Sequence, residues 1–411
     1  MQTWAESRFT GLFTLFVRVP LRPYDPRVAI SAGEIPSWSA GEPELGCSGA
    51  GWTQDEADAA CLGEGIERIL ARPLPNDVTL RCSYSNWSLS EPAIPPDHWG
   101  LFHHEQFSAD GFPFLPLSST TECRWTCCRE AVGGQAVWVP EELVYLMPRP
   151  GETQRHTFGF STGLSCSETA DRAVLRGAQE VIERDALMGG WWGRYPVEEY
   201  PRDQVVELIG RQYWSLMDRR NLTFRFYRIV SPFSSHITMV SVSGEDEEGW
   251  VFSVGSACRE TRRESWLKSS LEAIQGRHCV RQLLENQQHK TSAAAGFPTT
   301  FFEHALFYSL YPDRLSNTIL ENASPAASDS KADQRETLRD LQRTLGSERP
   351  ILFRCLTPPG IAGHFSNWIV YRVLIPRLQS LHGDHRLPFL GGPLWERPTA
   401  DWQTILPHPF A

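Results

Sequence analysis

One pattern constrains this chain more than any other: three times, a glutamate stands three residues before a second glutamate or a glutamine on an amphipathic helix, and that side of the helix otherwise holds small residues. The stretches are "LGEGIERILAR" at 62–72, "GAQEVIERDALMGGWW" at 177–192 and "SSLEAIQGRH" at 269–278. At 100° per residue, Leu62, Ile66, Ile69 and Leu70 form an apolar stripe, and Glu64 and Glu67 sit opposite, beside Ala57, Ala60, Gly63 and Ala71. In the second helix Val174, Leu175, Ala178, Val181 and Ile182 face a core, while Glu180 and Glu183 share a side with Ala173 and Gly177. In the third, Leu267, Leu271 and Ile274 make the stripe, and Glu272 and Gln275 lie with Ser265, Ser269 and Gly276. A solvated face would carry long polar side chains; small residues let another group come close.

If the three faces converge, several side-chain oxygens meet without a compensating lysine cluster. Like charges at that range repel by several kcal/mol unless a cation intervenes. Hard oxygen ligands select Mg2+ or Ca2+, and Mg2+ commonly shares its shell between carboxylates and phosphates. The expectation is a magnesium–nucleotide cavity walled by these helices. No G-x-x-x-x-G-K-[ST] occurs, so Arg68, Arg184, Arg259 and Arg277 are the candidates for phosphate contact. The competing reading pairs the arginines with neighbouring glutamates of their own helices.

Composition narrows the function classes. The 411 residues carry a net charge of −10, with 41% hydrophobic and 21% charged residues, as in a folded globular protein. The richest basic run, "RRNLTFRFYR" at 219–228, alternates with aromatics like a strand, which disfavours a nucleic-acid partner. "GLFTLFVRVPL" at 11–21 is too short for a membrane span, contains Arg18 and Pro20, and lacks a cleavage site and basic leader, so a cytoplasmic protein is expected. The ten cysteines show no disulfide framework; Cys61, Cys258 and Cys279 fall in helix-like patterns. Cys123, Cys127 and Cys128 in "ECRWTCC" read as structural or reactive thiols rather than a zinc site, because no further Cys or His pair stands at ligand spacing.

Along the chain, residues 11–32 read as a strand and turns, and Thr53 caps a helix over 54–72. Strands and loops follow over 79–145, a helix over 168–192, strands within 221–257, and a long helix over 259–288. "ASPAASDSKAD" at 323–333 reads as a flexible linker before a charged helix near 334–345, and the chain alternates again beyond 350. The acidic helices lie 116 and 92 residues apart (64 to 180, 180 to 272), so this is no solenoid. The fold class is α+β, a mixed α/β chain with one domain over 1–411.

Together the motifs resemble the YcaO family, and within it the azoline-forming cyclodehydratases of ribosomal peptide pathways. "AACLGEGIER", "AVLRGAQEVIERDA" and "LKSSLEAIQGR" are similar to that family's nucleotide and magnesium motifs. "SRFTGLF" at 7–13, "VPEELVYL", "IVYRVLIPRLQSLHGDHRLPFLGG" and the closing "LPHPFA" match its other landmarks. The resemblance implies a YcaO-type fold around a central non-P-loop ATP/Mg2+ site. It also implies a reaction: a Cys, Ser or Thr side chain attacks the preceding amide carbonyl, ATP phosphorylates the resulting oxyanion, and loss of phosphate leaves a thiazoline or oxazoline.

Carried over by position, the resemblance makes Glu64, Glu67, Glu180, Glu183 and Glu272 the magnesium ligands. Glu64, Arg68, Glu180, Arg184, Ser269, Glu272, Gln275 and Arg277 become the nucleotide set. Pro407, His408, Pro409 and Ala411, in a tail over 400–411, are expected near the reacting amide, with His408 as a candidate proton acceptor. Three positions depart from the family pattern: Ala60 replaces a serine, Ala50 the lysine of a G-K-G turn, and Ala411 the final proline. They keep open a degenerate, non-catalytic scaffold subunit that binds peptide. Thioamide or macroamidine formation is the alternative within the family. A metal-dependent hydrolase is disfavoured, since no clustered His/Asp two-metal signature occurs. The expected partners are a ribosomal precursor peptide and a separate E1-like, leader-binding protein, with a homodimer among the assemblies the resemblance allows.

Overall fold

Alternating apolar residues build three sheets. A computed structural model describes residues 11–36, 45–75, 77–149, 151–286, 297–326, 333–359 and 368–410. The first sheet pairs β1 (Leu15–Arg18), β2 (Ala29–Ile35) and β3 (Leu45–Gly51) antiparallel in that order. The second contains β4 (Thr79–Cys82), β5 (Cys123–Glu130), β6 (Ala136–Pro140) and β7 (Leu164–Ser167) together with β13 (Leu352–Cys355) and β14 (Ile369–Leu374). Its order is β4-β5-β13-β14-β7, with β6 also on β5. The third runs β11 (Gly249–Cys258), β10 (Ile237–Asp246), β9 (Thr223–Ile229), β8 (Val197–Tyr200), and ends on the two-residue parallel strand β12 (Ser324–Pro325).

Seven α-helices are seen among the described residues: α1 (Gln54–Leu70), α2 (Ala170–Trp191), α3 (Arg202–Ile209), α4 (Arg211–Met217), α5 (Arg262–Glu285), α6 (Phe301–Leu310) and α7 (Leu338–Leu345). The three acidic helices start alike. Thr53, Thr169 and Thr261 are extended N-caps whose hydroxyls accept from the third helical amide, at Glu56, Arg172 and Glu264. In α1 the Glu56 side chain returns the bond and completes a capping box.

Each acidic helix lies on a different sheet: α1 on β2 and β3, α2 on β14 and β7, α5 on β10 and β11. The small residues beside the acids make this possible, which revises their sequence reading. A Cβ at Gly255 of β11 would stand 2.1 Å from the Ala273 nitrogen and 2.3 Å from the Ser269 carbonyl. A Cβ at Gly177 would meet Val373 of β14 at 2.6 Å, and Gly49 of β3 presses on Ala57 and Ala60. The group the small residues admit is a β-strand. The acids therefore sit at the margin of each helix–sheet contact.

Several expectations change. Cys258 ends strand β11 instead of lying in a helix. The helices α3, α4 and α6 fill stretches for which the sequence predicts none, and the expected strand alternation in "HGDHRLPFLGGPLW" is absent. Of the expected linker, 327–332 lie outside the described residues, but its flanks are tied: Ser324 and Pro325 pair with Glu198 and Glu199, and Asp333 accepts from the Arg262 and Arg263 amides. Cys127 and Cys128 are consecutive on β5 and so point to opposite sides of the sheet. Among the described residues no helix is long and apolar enough to cross a membrane.

Candidate active site

The loops and strand ends between the three sheets bring the acidic helices together. Ser48 of β3 joins two of them: its amide donates to Glu64 at 2.7 Å and its hydroxyl accepts from the Gln275 amide nitrogen at 2.6 Å. Glu67 accepts from the Cys166 amide of β7 at 2.5 Å, which couples α1 to the second sheet. Glu180 accepts from the Gly163 amide at 3.1 Å. Gly163 has φ +86, and a Cβ there would stand 2.1 Å from the Val373 carbonyl, so only glycine brings this amide to the carboxylate.

The charges of the three helices act on one another. Burial, then the charges of Glu180 and Glu64, push the Glu67 carboxyl well above its ordinary value. Burial also raises Glu180; Arg184 opposes the shift, while Glu183 and Glu272 add to it. Burial works against the Arg184 guanidinium, yet Glu183, Glu180 and Glu272 together hold it above its usual value. Glu64 pairs with Arg68 at 2.6 Å and Glu272 with Lys268 at 3.2 Å. Glu64, Glu180 and Glu272 keep 33%, 27% and 31% of their side chains open, so their oxygens are within reach of a ligand.

The donor set suits Mg2+ bound with a polyphosphate. All the acceptors are hard oxygens, and two of the carboxyls are raised by burial and mutual repulsion that a divalent cation would offset. No three of these carboxylates bring an oxygen each within 4.8 Å of one another, so they are not a closed cage. Mg2+ usually keeps waters and phosphate oxygens in its shell and needs only one or two carboxylates from the protein.

Other expected residues go elsewhere. Glu183 is closed off, with both oxygens taken by β11: the Ser256 hydroxyl at 2.6 Å and the Cys258 amide at 2.9 Å. It fastens α2 to the sheet. Ser269 is buried, and its hydroxyl lies 3.1 Å from that of Thr238 on β10, on the face that packs against the sheet. Arg277 is buried against Asp246 at 2.9 Å, beside the Arg281–Asp25 pair, where it neutralises acids of its own surroundings. Arg259 donates to the Cys258 carbonyl.

The tail differs most from expectation. Pro407, His408 and Pro409 are buried; Tyr308 of α6 donates to the Pro407 carbonyl at 2.7 Å, and the His304 ring bonds the His408 carbonyl. His408 turns its Nε2 to the His382 carbonyl at 2.9 Å, and burial, then the neighbouring His304 and His382, hold it far below its usual pKa. A proton acceptor facing substrate is not what this geometry provides. Ala411 lies outside the described residues. The tail packs at the C-terminal end of α2, where the Trp191 indole donates to the Leu406 carbonyl; eight residues of helix, about 12 Å, separate Trp191 from Glu183.

Sequence reasoning missed four residues that build the site. Lys268 is legible in hindsight as an i,i+4 partner of Glu272. Gly163 acts through its backbone amide, and Ser48 through both its amide and its hydroxyl; neither role has a local sequence pattern, because the partners lie far along the chain. Arg372 of β14 is fully buried and donates to the carbonyls of Val144, Phe160 and Thr162, which fixes the loop ahead of Gly163. Burial lowers it to about 10, partly offset by Glu180.

Comparison with known proteins agrees with this architecture. A stretch of 159 residues is 28% identical to an uncharacterized protein of Methanothermobacter thermautotrophicus; it covers 38% of this chain and 36% of that protein, so the match spans about a third of the relative's length. Among solved structures, YcaO from Methanopyrus kandleri bound with AMPPCP and Mg2+ is similar at 17% identity and TM-score 0.58, covering 89% of this chain and 85% of that one. A heterocyclase in complex with substrate and cofactor gives TM-score 0.67 at 17% identity, covering all of this chain (100%) but only 56% of that one. The Escherichia coli microcin synthetase McbBCD complex gives TM-score 0.63 at 13% identity, covering 96% of each chain. The family model described as YcaO cyclodehydratase, ATP- and Mg2+-binding, matches residues 48–379, and with it this chain belongs to the YcaO family.

Proposed function

We propose that the chain is the ATP- and Mg2+-dependent subunit of a cyclodehydratase that activates a backbone amide oxygen of a ribosomal precursor peptide and forms azoline rings from Cys, Ser or Thr. The reading rests on one observation: Glu64, Glu67, Glu180 and Glu272, from three helices on three sheets, border one space with Arg68, Arg184, Lys268 and Gln275.

In that space Glu64, Glu180 and Glu272 would hold Mg2+, with Glu67 behind them. When bound, the metal offsets charge on a transferring phosphoryl group. Arg68, Arg184 and Lys268 supply the positive charge that orients phosphate oxygens. An amide oxygen is a poor leaving group, and phosphorylation converts it to a good one, so a site built for triphosphate suits this chemistry. A separate E1-like protein would deliver the peptide and raise its effective concentration. The multi-protein McbBCD assembly, with a chain of the same span, supports that arrangement.

A scaffold role has one observation in its favour. Ala60 packs toward Gly49 one turn before Glu64 and offers no hydroxyl there. One experiment separates the readings: the chain is incubated with ATP, Mg2+, partner and precursor, and peptide mass and phosphate are followed. Loss of one water per phosphate released supports the enzyme. Peptide binding with neither change supports the scaffold.

A further inference from the structure

The first sheet has two faces, and strand register assigns the residues of each. Residues directly opposite one another on paired strands project from the same side. Phe16, Gly33 and Cys47 form one such row, and α1 closes that side. Cys47 Sγ lies 3.8 Å from Cys61 Sγ, and a Cβ at Gly49, one row further along, would stand 2.7 Å from the Ala60 Cβ. The other side holds three rows: Val19 with Ile30 and Ala50, then Val17 with Ala32 and Ser48, then Leu15 with Glu34 and Gly46.

The three rows meet different surroundings. Ile30 and Ala50 are buried in the cluster that holds Trp266 and Ile274 of α5, with Val19 packed against it. In the second row Ser48 reaches the candidate site itself, with its hydroxyl on Gln275 and its amide on Glu64. Beyond Ser48 the cover ends. Val17 is 40% exposed and Leu15 46%, Ala32 is half-buried, and a Cβ at Gly46 would meet nothing within 4 Å. The result is a mainly apolar shelf that starts at the nucleotide site and runs outward to β1, an edge strand among the described residues. Neighbouring open apolar side chains beside a polar site mark a binding surface, unlike single scattered ones.

We propose that this shelf seats the substrate peptide and selects apolar side chains a few positions from the residue being cyclised. The inference rests on the functional reading above. The amide oxygen must be brought to a phosphoryl group held between α1, α2 and α5, so the peptide crosses a surface continuous with that space. The shelf is continuous with it, through the row that Val17 shares with Ser48. Two interstrand spacings put Val17 about 10 Å from Ser48, a distance that an extended peptide covers in about three residues. The side chains that meet Val17 and Leu15 are then those about two to four positions from the ring, alternate ones facing the shelf. Glu34 in the third row, on a chain of net charge −10, disfavours acidic side chains there.

The test uses the full chain and two labelled synthetic peptides with a central cysteine. One has leucines two and four residues away on both sides, and its twin has serines there. Fluorescence anisotropy in the presence of AMPPCP and Mg2+ gives both affinities. Wild type should prefer the leucine peptide by at least about fivefold, and Val17→Glu and Leu15→Glu should each remove that preference. If a glutamate variant fails to fold, Val17→Thr keeps a β-branched side chain on the strand and should still lower the preference about twofold. Equal affinity of wild type for the two peptides overturns the proposal, as does a preference that survives the variants. Weaker AMPPCP uptake by Val17→Glu with the leucine preference intact would give the shelf to the nucleotide base and also overturns it. Calorimetry of AMPPCP on the wild-type chain separates the two readings: uptake without peptide preference removes the shelf alone, and no uptake removes the nucleotide site on which both rest.

Discussion

Gln275 donates its side-chain amide to the Ser48 hydroxyl at 2.6 Å, across 227 residues of sequence. The same serine gives its backbone amide to Glu64, so one strand residue sets the separation of two acidic helices. Ser48→Ala should cost about 1 kcal/mol in urea unfolding, the usual worth of one hydrogen bond. If the helices wall a nucleotide site, KM for ATP should rise about threefold to tenfold with a smaller change in kcat. An unchanged KM would remove this link from the site.

Glu180→Gln should reduce ATP-dependent turnover by at least about 100-fold, the scale of losing a charged group at a phosphoryl-transfer site. The fold should be retained, because burial already disfavours the charge that the substitution removes. Phosphate release and a thermal melt measure the two effects.

The raised carboxyls make the metal-free protein sensitive to pH. Glu67 and Glu180 hold protons in the folded state above the ordinary value of 4.5, where the unfolded chain has lost them. The folded state therefore binds more protons in that window, and stability falls as pH rises through it. Compared with wild type, Glu180→Gln should show a shallower decline above pH 4.5, and saturating Mg2+ with nucleotide should flatten the wild-type slope. Melting temperatures across pH, with and without ligand, check this.

The buried histidines act with the opposite sign. Burial lowers His304 to about 4 and His385 to about 3, from an ordinary 6.5. Between these values the unfolded chain binds protons that the folded chain refuses, so stability is present above pH 6.5 and is lost as pH falls toward 4. His385→Gln should reduce the acid slope by up to about 1.4 kcal/mol per pH unit, the value of one proton. Urea titrations at pH 5 and pH 7 give the comparison.

Arg372→Met leaves the carbonyls of Val144, Phe160 and Thr162 without their donor in a buried place. The expected loss is at least about 3 kcal/mol, from unpaired acceptors at about 1–3 kcal/mol each. Arg372→Lys should recover only part of it, because an ammonium cannot reach three carbonyls in the guanidinium's fixed fork. Denaturant midpoints of the two variants test the order.

The sequence carried the acidic helices well because their signals are local. Threonine caps, apolar stripes and the i,i+3 spacing all lie within a few turns, and α1, α2 and α5 begin within three residues of expectation. The partition of the glutamates was not legible. Glu180 and Glu183 look alike on a helical wheel, yet one keeps 27% of its surface open while the other is sealed against Ser256 and Cys258. That difference depends on where β11 passes, a long-range fact. The surroundings of Ser269 and Arg277 were not legible for the same reason: one packs against a sheet and the other pairs with Asp246. The placement of the tail was not legible, because it depends on Ile405 and Phe410 packing into the core around α2, a long-range fact.

Helix α2 carries Glu180 in its middle and seats the tail at its end, through Trp191 against Leu406 and Phe410. A hydrogen-bonded helix of this length behaves as a stiff lever, and its flank is pinned to β11 by Glu183. A tilt of the helix near Glu180 would have to pivot about that pin and shift the Trp191 end with it. Occupancy beside Glu180 would then be felt at the chain terminus without any contact between the two.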